Sequence, residues 1–327
     1  MHAATKGTYF FYGILAVTLV PLVTLPIMAV ASFPFDQSLL LGLAIFAGGV
    51  GHVASTACVY ADSNVREVMR PMKGRFYVLP IVCTLLTIGA IIWGSSLSIA
   101  KPIVAGVFIF HLFWLHFHYQ KQNYGLIAFV AASQGARVPR SLSNLLLFPA
   151  LAGVLAVMPA LVRAAMQDET MIAHLQPFLY ATAVVVYLLG GALIGMVILK
   201  NRTGFSHPRT AVMTAASFLF FLPPVVLNHS DYAFWSYAIA HGFQYLLMVF
   251  TMAGGTRPSL TIVIAFVASV VGGGFFLHRL AGNQALFLCG ILLTWVHFIL
   301  DAKLWRMSEP GPRKLLRGRF SFLFPKT

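Results

Sequence analysis

Residues 102–122 read PIVAGVFIFHLFWLHFHYQKQ. Up to Gln120 the stretch carries no Asp, Glu, Lys or Arg, and about 20 such residues in a helix cross the ~30 Å hydrocarbon core of a bilayer. It also holds three histidines, His111, His116 and His118. Ionisable side chains inside a membrane are expensive and mark function by default. The segment therefore predicts a transmembrane helix and a polar site within it.

Comparable runs recur from end to end. The 327-residue chain is 59% hydrophobic and 9% charged, with mean hydropathy +0.84, whereas a soluble protein carries roughly 25% charged residues. Runs at 9–31, 39–60, 76–98, 102–120, 143–164, 177–199, 210–229, 233–254, 259–279 and 284–305 predict ten spans. The fold class is all-α, a polytopic integral membrane protein, because a β-barrel would show shorter alternating segments. With the N-terminus inside, 19 of the 22 Lys and Arg residues fall on the cytoplasmic side, and only Lys101, Arg163 and Arg279 face out. That asymmetry predicts an N-in, C-in topology in a bacterial cytoplasmic membrane. It also accounts for the net charge of +14 without a nucleic-acid partner.

One transmembrane domain, 1–306, is expected, followed by a basic tail, 307–327. In the tail, Pro310 and Pro312 precede Arg313-Lys314-Leu315-Leu316-Arg317, an amphipathic pattern suited to an anionic inner leaflet. The first run ends in Ala29-Val30-Ala31 like a signal-peptidase site. Its apolar stretch of about 22 residues exceeds a signal h-region, so it is expected to stay as a span. Cys58, Cys83 and Cys289 lie in apolar runs without C-x-x-C spacing, so no disulfide framework is implied.

Spans 2, 4, 8 and 10 run in the same direction, so depths can be compared from their outer ends. His52 lies about 13 residues in, His116 about 14 and His297 about 13, with His111 (about 9) and His241 (about 8) on a second level. At 1.5 Å per residue the two levels are about one turn apart. This suits a buried metal centre of one or two ions, for which imidazole is the commonest ligand. On helical geometry His111 and His118 share a face that Gln122 continues, while His116 points about 140° from His111 at ~100° per residue. Face favours His111 and His118, depth favours His116, and both remain open. His297 and Asp301 are i, i+4, so Asp301 is a further ligand, a group orienting His297, or a partner of Lys303 or Arg306. Tyr237, His241 and Tyr245 share a face with Gln244 beside them, and span 2 offers His52, Ser55 and Asp62. The polar segment from His118 to Tyr124 lines a cytoplasmic entrance or marks where the helix leaves the lipid.

Histidine with carboxylate and no usable thiolate points to non-haem iron, then copper or zinc. Paired intramembrane histidines also hold b-type haem, the main alternative cofactor. The chain resembles the membrane carotene-cleaving dioxygenases of the Brp/Blh group in Gly51-His52 and in His297-Phe298-Ile299-Leu300-Asp301 followed by Arg306. The resemblance covers about thirty residues, and the run from His111 to Gln122 has no counterpart in it. It implies non-haem iron held by intramembrane histidines and oxidation of a lipophilic polyene. The expectation is an integral-membrane iron oxidoreductase acting with molecular oxygen on a lipophilic small molecule, served by an electron-donor protein. A b-haem electron-transfer protein and a proton-coupled transporter are the alternatives.

Overall fold

A computed structural model describes residues 3–34, 39–95, 100–166, 170, 172–227, 230–254, 260–273 and 284–324. His2, His229, His278, Arg257, Arg279 and Lys326 lie outside the described residues. Every regular element among the described residues is helical, as expected of a chain whose backbone polar groups must be satisfied within each segment in lipid. Four helices are long and apolar enough to cross a bilayer: Thr5–Val30, Leu41–Ala61, Arg140–Arg163 and Ala173–Lys200. The protein is a helical membrane protein.

The chain forms two compact units, the first from residues 1–14, 36–97 and 241–327 and the second from 15–35 and 98–240. In chain order the helices are α1 (Ala3–Val30), α2 (Leu39–Ile45), α3 (His52–Ala61), α4 (Ser63–Met69), α5 (Leu79–Ser95), α6 (Ala100–Ser133), α7 (Arg140–Leu145), α8 (Leu147–Met166), α9 (Gln176–Lys200), α10 (Pro208–Leu219), α11 (Pro223–Val226), α12 (Ser230–Gly254), α13 (Leu260–Ala268), α14 (Gln284–Leu304) and α15 (Pro310–Arg319).

In the second unit α6 continues well past residue 120, where the polar residues predict an end. Those residues are absorbed by packing instead. Gln120 and Asn123 are buried; Asn123 Nδ2 donates to Gln120 Oε1 at 3.0 Å, and Lys121 Nζ donates to Ser143 Oγ at 2.8 Å. The run expected to form one span at 210–229 is broken. A proline at 223 would drive its ring into the Leu219 carbonyl, so α10 stops there. The carbonyls released by the break find side chains: Gln120 Nε2 donates to Ser217 O (3.2 Å), Tyr187 to Phe218 O (3.1 Å) and Tyr180 to Val225 O (2.6 Å). Gly190 lets α9 lie against α8, since a Cβ there would stand 2.7 Å from Phe148 Cβ.

In the first unit α2 and α3 are joined by a π-helical segment, Phe46–Gly51. Arg66 Nη1 closes the end of α3 by donating to Tyr60 O (3.1 Å) and Ala61 O (2.6 Å), the usual service of a cation at a helix C-terminus. Asp62 then caps α4: its Oδ1 accepts from Asn64 N at 2.9 Å, while Oδ2 takes Arg319 Nη2 at 2.6 Å. That ion pair ties the tail to the membrane-spanning region. Leu316 and Phe320 are fully buried, and the Phe320 ring meets Phe10 edge-on at 5.6 Å. The tail set apart at 307–327 by its charge is thus packed into the first unit, and Arg313, Lys314 and Arg317 form the outer face of α15.

Replacing Leu316 with Asp should undock α15 and expose the Lys314 and Arg317 bonds to trypsin in detergent, with cleavage at least about tenfold faster, because a buried unpaired carboxylate costs several kcal/mol. Cleavage at the wild-type rate would contradict the docked tail.

Candidate metal centre

Three helices of the first unit each bring one histidine to a common point. His52 opens α3 directly after the π-segment, His241 lies on α12 and His297 on α14. The ring centroids are 5.1 Å apart for His52 and His241, 5.0 Å for His52 and His297, and 6.0 Å for His241 and His297, with planes 81–89° apart. One ring nitrogen from each lies within 4.8 Å of the other two, and all three residues are buried. Nitrogens bound at about 2.0–2.1 Å to one metal stand about 3 Å apart, so ligation requires only a modest inward turn of the rings. His52 is buried, and its ring engages the Gly48 and Gly49 carbonyls of the π-segment.

The depth count places His241 a turn above His52 and His297, yet the three meet. α12 begins at Ser230 rather than at 233, so His241 lies about three residues deeper than the count from 233, and a π-turn, which fits one extra residue into a helix, takes about one residue off the depth of His52. The same segment carries Gly48, Gly49 and Gly51, and α12 presses against it through Gly242. A methyl group at Gly242 would overlap the Gly48 carbonyl. The residue beside His241 must therefore be glycine for His241 to reach His52.

Around the triangle runs a set of hydrogen bonds that orients His297. Thr56 Oγ1 lies 3.3 Å from His297 Nδ1 and 3.2 Å from the Tyr245 hydroxyl, and Tyr245 also hydrogen-bonds Asp301. Asp301 Oδ1 accepts from Trp305 Nε1 at 3.0 Å, and its Oδ2 stands 3.6 Å from His297 Nε2. An ionised carboxylate only accepts. With Asp301 ionised, Tyr245 donates to it, Thr56 donates to Tyr245, and Thr56 accepts from His297 Nδ1–H. That direction leaves the Nε2 lone pair of His297 facing Asp301 Oδ2 across a gap too long for a good hydrogen bond, and suited to an ion that both would bind.

His116, in the second unit, spends both ring nitrogens: Nδ1 bonds Leu112 O at 2.7 Å, and Nε2 bonds the Tyr237 hydroxyl at 2.8 Å. Its ring stacks on Phe221 at 5.5 Å. It is a satisfied core histidine with no nitrogen left for an ion, and Tyr237 is its partner. His111 and His118 are buried on α6, in the second unit with the partly buried Gln122. Gln244 is buried on α12, one turn from His241. Asp62 serves α4 and Arg319, as described above. Thr56 and Trp305 were not foreseen, although each stands at i+4 from a predicted residue, His52 and Asp301, and so shares its face.

No protein-family model, no curated protein and no solved structure matches this chain. The likeness to the carotene-cleaving dioxygenases rests on its short motifs, and both histidines in those motifs, His52 and His297, belong to the triangle.

Substituting Gly242 with Ala should lower stability by about 1–3 kcal/mol, the usual penalty for overpacking, read as a lower midpoint of thermal unfolding in detergent. An unchanged midpoint would contradict the close approach of α12 to the π-segment.

Proposed function

We propose that the protein is a membrane-embedded, metal-dependent oxidoreductase, a non-haem iron oxygenase or hydroxylase acting on a lipophilic substrate. The observation that carries this reading is the convergence of His52, His241 and His297 in a buried pocket with Asp301 beside them. Neutral imidazoles plus one carboxylate, without thiolate, form a donor set suited to iron(II), with copper or zinc as weaker matches. Bound there, such an iron supplies the oxygen activation and single-electron chemistry that side chains lack.

The protein's own contribution is positional and electrostatic. His52, His241 and His297 hold three sides of the site, and Asp301 offsets positive charge in a region of low dielectric. Thr56 and Tyr245 keep His297 in the tautomer that presents Nε2. Phe298, packed against the His297 ring at 5.6 Å, helps exclude water. Three imidazoles around one point with a carboxylate beside them would suit a bare ion better than b-type haem, which intramembrane histidines would hold as opposing pairs.

In this reading the chain has ten spans with both termini inside a bacterial cytoplasmic membrane, supported by the 19-to-3 split of its basic residues. The substrate arrives from the lipid phase, molecular oxygen is the oxidant, and an electron-donor protein supplies reducing equivalents where the reaction needs them.

Metal analysis and a visible spectrum of the purified protein test this directly. About one iron per chain without a Soret band is expected, and His297→Ala should lose most of it. A Soret band, or a folded, colourless and metal-free protein after expression in iron-replete medium, would contradict the proposal. Tyr245→Phe should keep the fold and weaken iron affinity about 10–100-fold, the range for removing a group that orients a ligand. Unchanged affinity in a chelator competition would remove Tyr245 from the site.

A further inference from the structure

The second unit contains a cavity of about 390 Å³ between α8, the start of α9, the break before α12 and the first turns of α12. The space is a half-open cleft of the size that small ligands occupy. It exists because the residues facing it are short: Ala156 and Ala160 on α8 and Ala233 on α12. Ala156, Ala160 and Arg163 stand at i, i+4 and i+7, so one face of α8 offers two small residues and then a guanidinium. Across from Arg163 stands Gln176, the first residue of α9. Tyr180 is part of the wall, its hydroxyl held by Val225 O. Pro177 and Pro224 stiffen the same wall.

Arg163 is unusual for its position. It is one of three basic residues on the side of the membrane that the charge asymmetry leaves almost bare, so topology does not call for it. Its Nη1 is shielded from solvent at the edge of a cleft that Gln176 and Tyr180 also line. A guanidinium offers a planar fork matched to carboxylate or phosphate oxygens, and a pocket of about 300–1,000 Å³ with apolar walls and a few polar groups is typical of small-molecule sites. We propose that this cavity binds an anionic amphiphile, with its carboxylate or phosphate against Arg163 and Gln176 and the start of its acyl chain along Ala156 and Ala160. The site is separate from the histidine triangle, and the inference does not rest on the metal-dependent reading.

Thermal unfolding of the full chain in a neutral maltoside detergent tests this with three probes: decanoate, decanol and dioctanoyl phosphatidylglycerol. At least one anionic probe should raise the unfolding midpoint saturably while decanol does not. A response to decanoate alone identifies a free carboxylate, and a response to the phospholipid identifies a phosphodiester head group. Arg163→Gln should weaken the response at least about tenfold, as expected on losing a charge-assisted bidentate contact, and Arg163→Lys should retain part of it. Ala160→Leu, which fills the chamber and keeps the charge, should abolish it. The proposal is overturned if neither anionic probe shifts the wild-type midpoint, if decanol acts as well as decanoate, or if Arg163→Gln and Ala160→Leu respond like the wild type.

Discussion

An imidazole removed from water must give both of its nitrogens to something, and the chain meets that demand in two ways. In the second unit His116 hands one nitrogen to the Leu112 carbonyl of its own helix and the other to the Tyr237 hydroxyl. The outcome is a satisfied and chemically quiet core residue. In the first unit three imidazoles and a carboxylate share one buried point, a donor set that an ion can join. His297 is held through Nδ1 by Thr56, and that bond turns its other nitrogen towards Asp301. The cost of burial thus separates a packing histidine from the group that we propose binds a metal.

The convergence depends on backbone as much as on side chains. His52, His241 and His297 come from helices far apart in sequence, and their meeting requires α12 to approach the π-segment until Gly242 lies on the Gly48 carbonyl. π-bulges are uncommon and recur at functional sites because they displace a side chain without ending the helix. Here the bulge ends at Gly51, immediately before His52. The glycines that make this geometry available are as necessary to the site as the histidines.

Much of this was legible from the sequence, and the failures have identifiable causes. The all-helical membrane class follows from the recurrence of apolar runs, and His52, His241, His297 and Asp301 were all singled out from depth and i, i+4 spacing. Depth counting depends on where each span begins, and His241 falls on a separate level because α12 starts at Ser230, before the apolar run at 233. It also cannot tell that His116 is hydrogen-bonded at both nitrogens, because one partner, Tyr237, lies far along the chain. The polar run at Gln120 to Asn123 read as a helix end because the broken backbone it serves, at Ser217, is remote in sequence. The amphipathic pattern of the tail points to a lipid surface, whereas its apolar stripe, with Leu316 and Phe320, is buried against the protein.

X-ray absorption at the iron edge of the purified protein tests the central claim most directly, because it reports the atoms around the metal. The account predicts a first shell of nitrogen and oxygen only, with the multiple-scattering signature of about three imidazoles. In the His52→Ala protein one of those imidazoles should be missing. A shell containing sulfur, the rigid scattering pattern of a porphyrin, or an imidazole count unchanged by His52→Ala would contradict it.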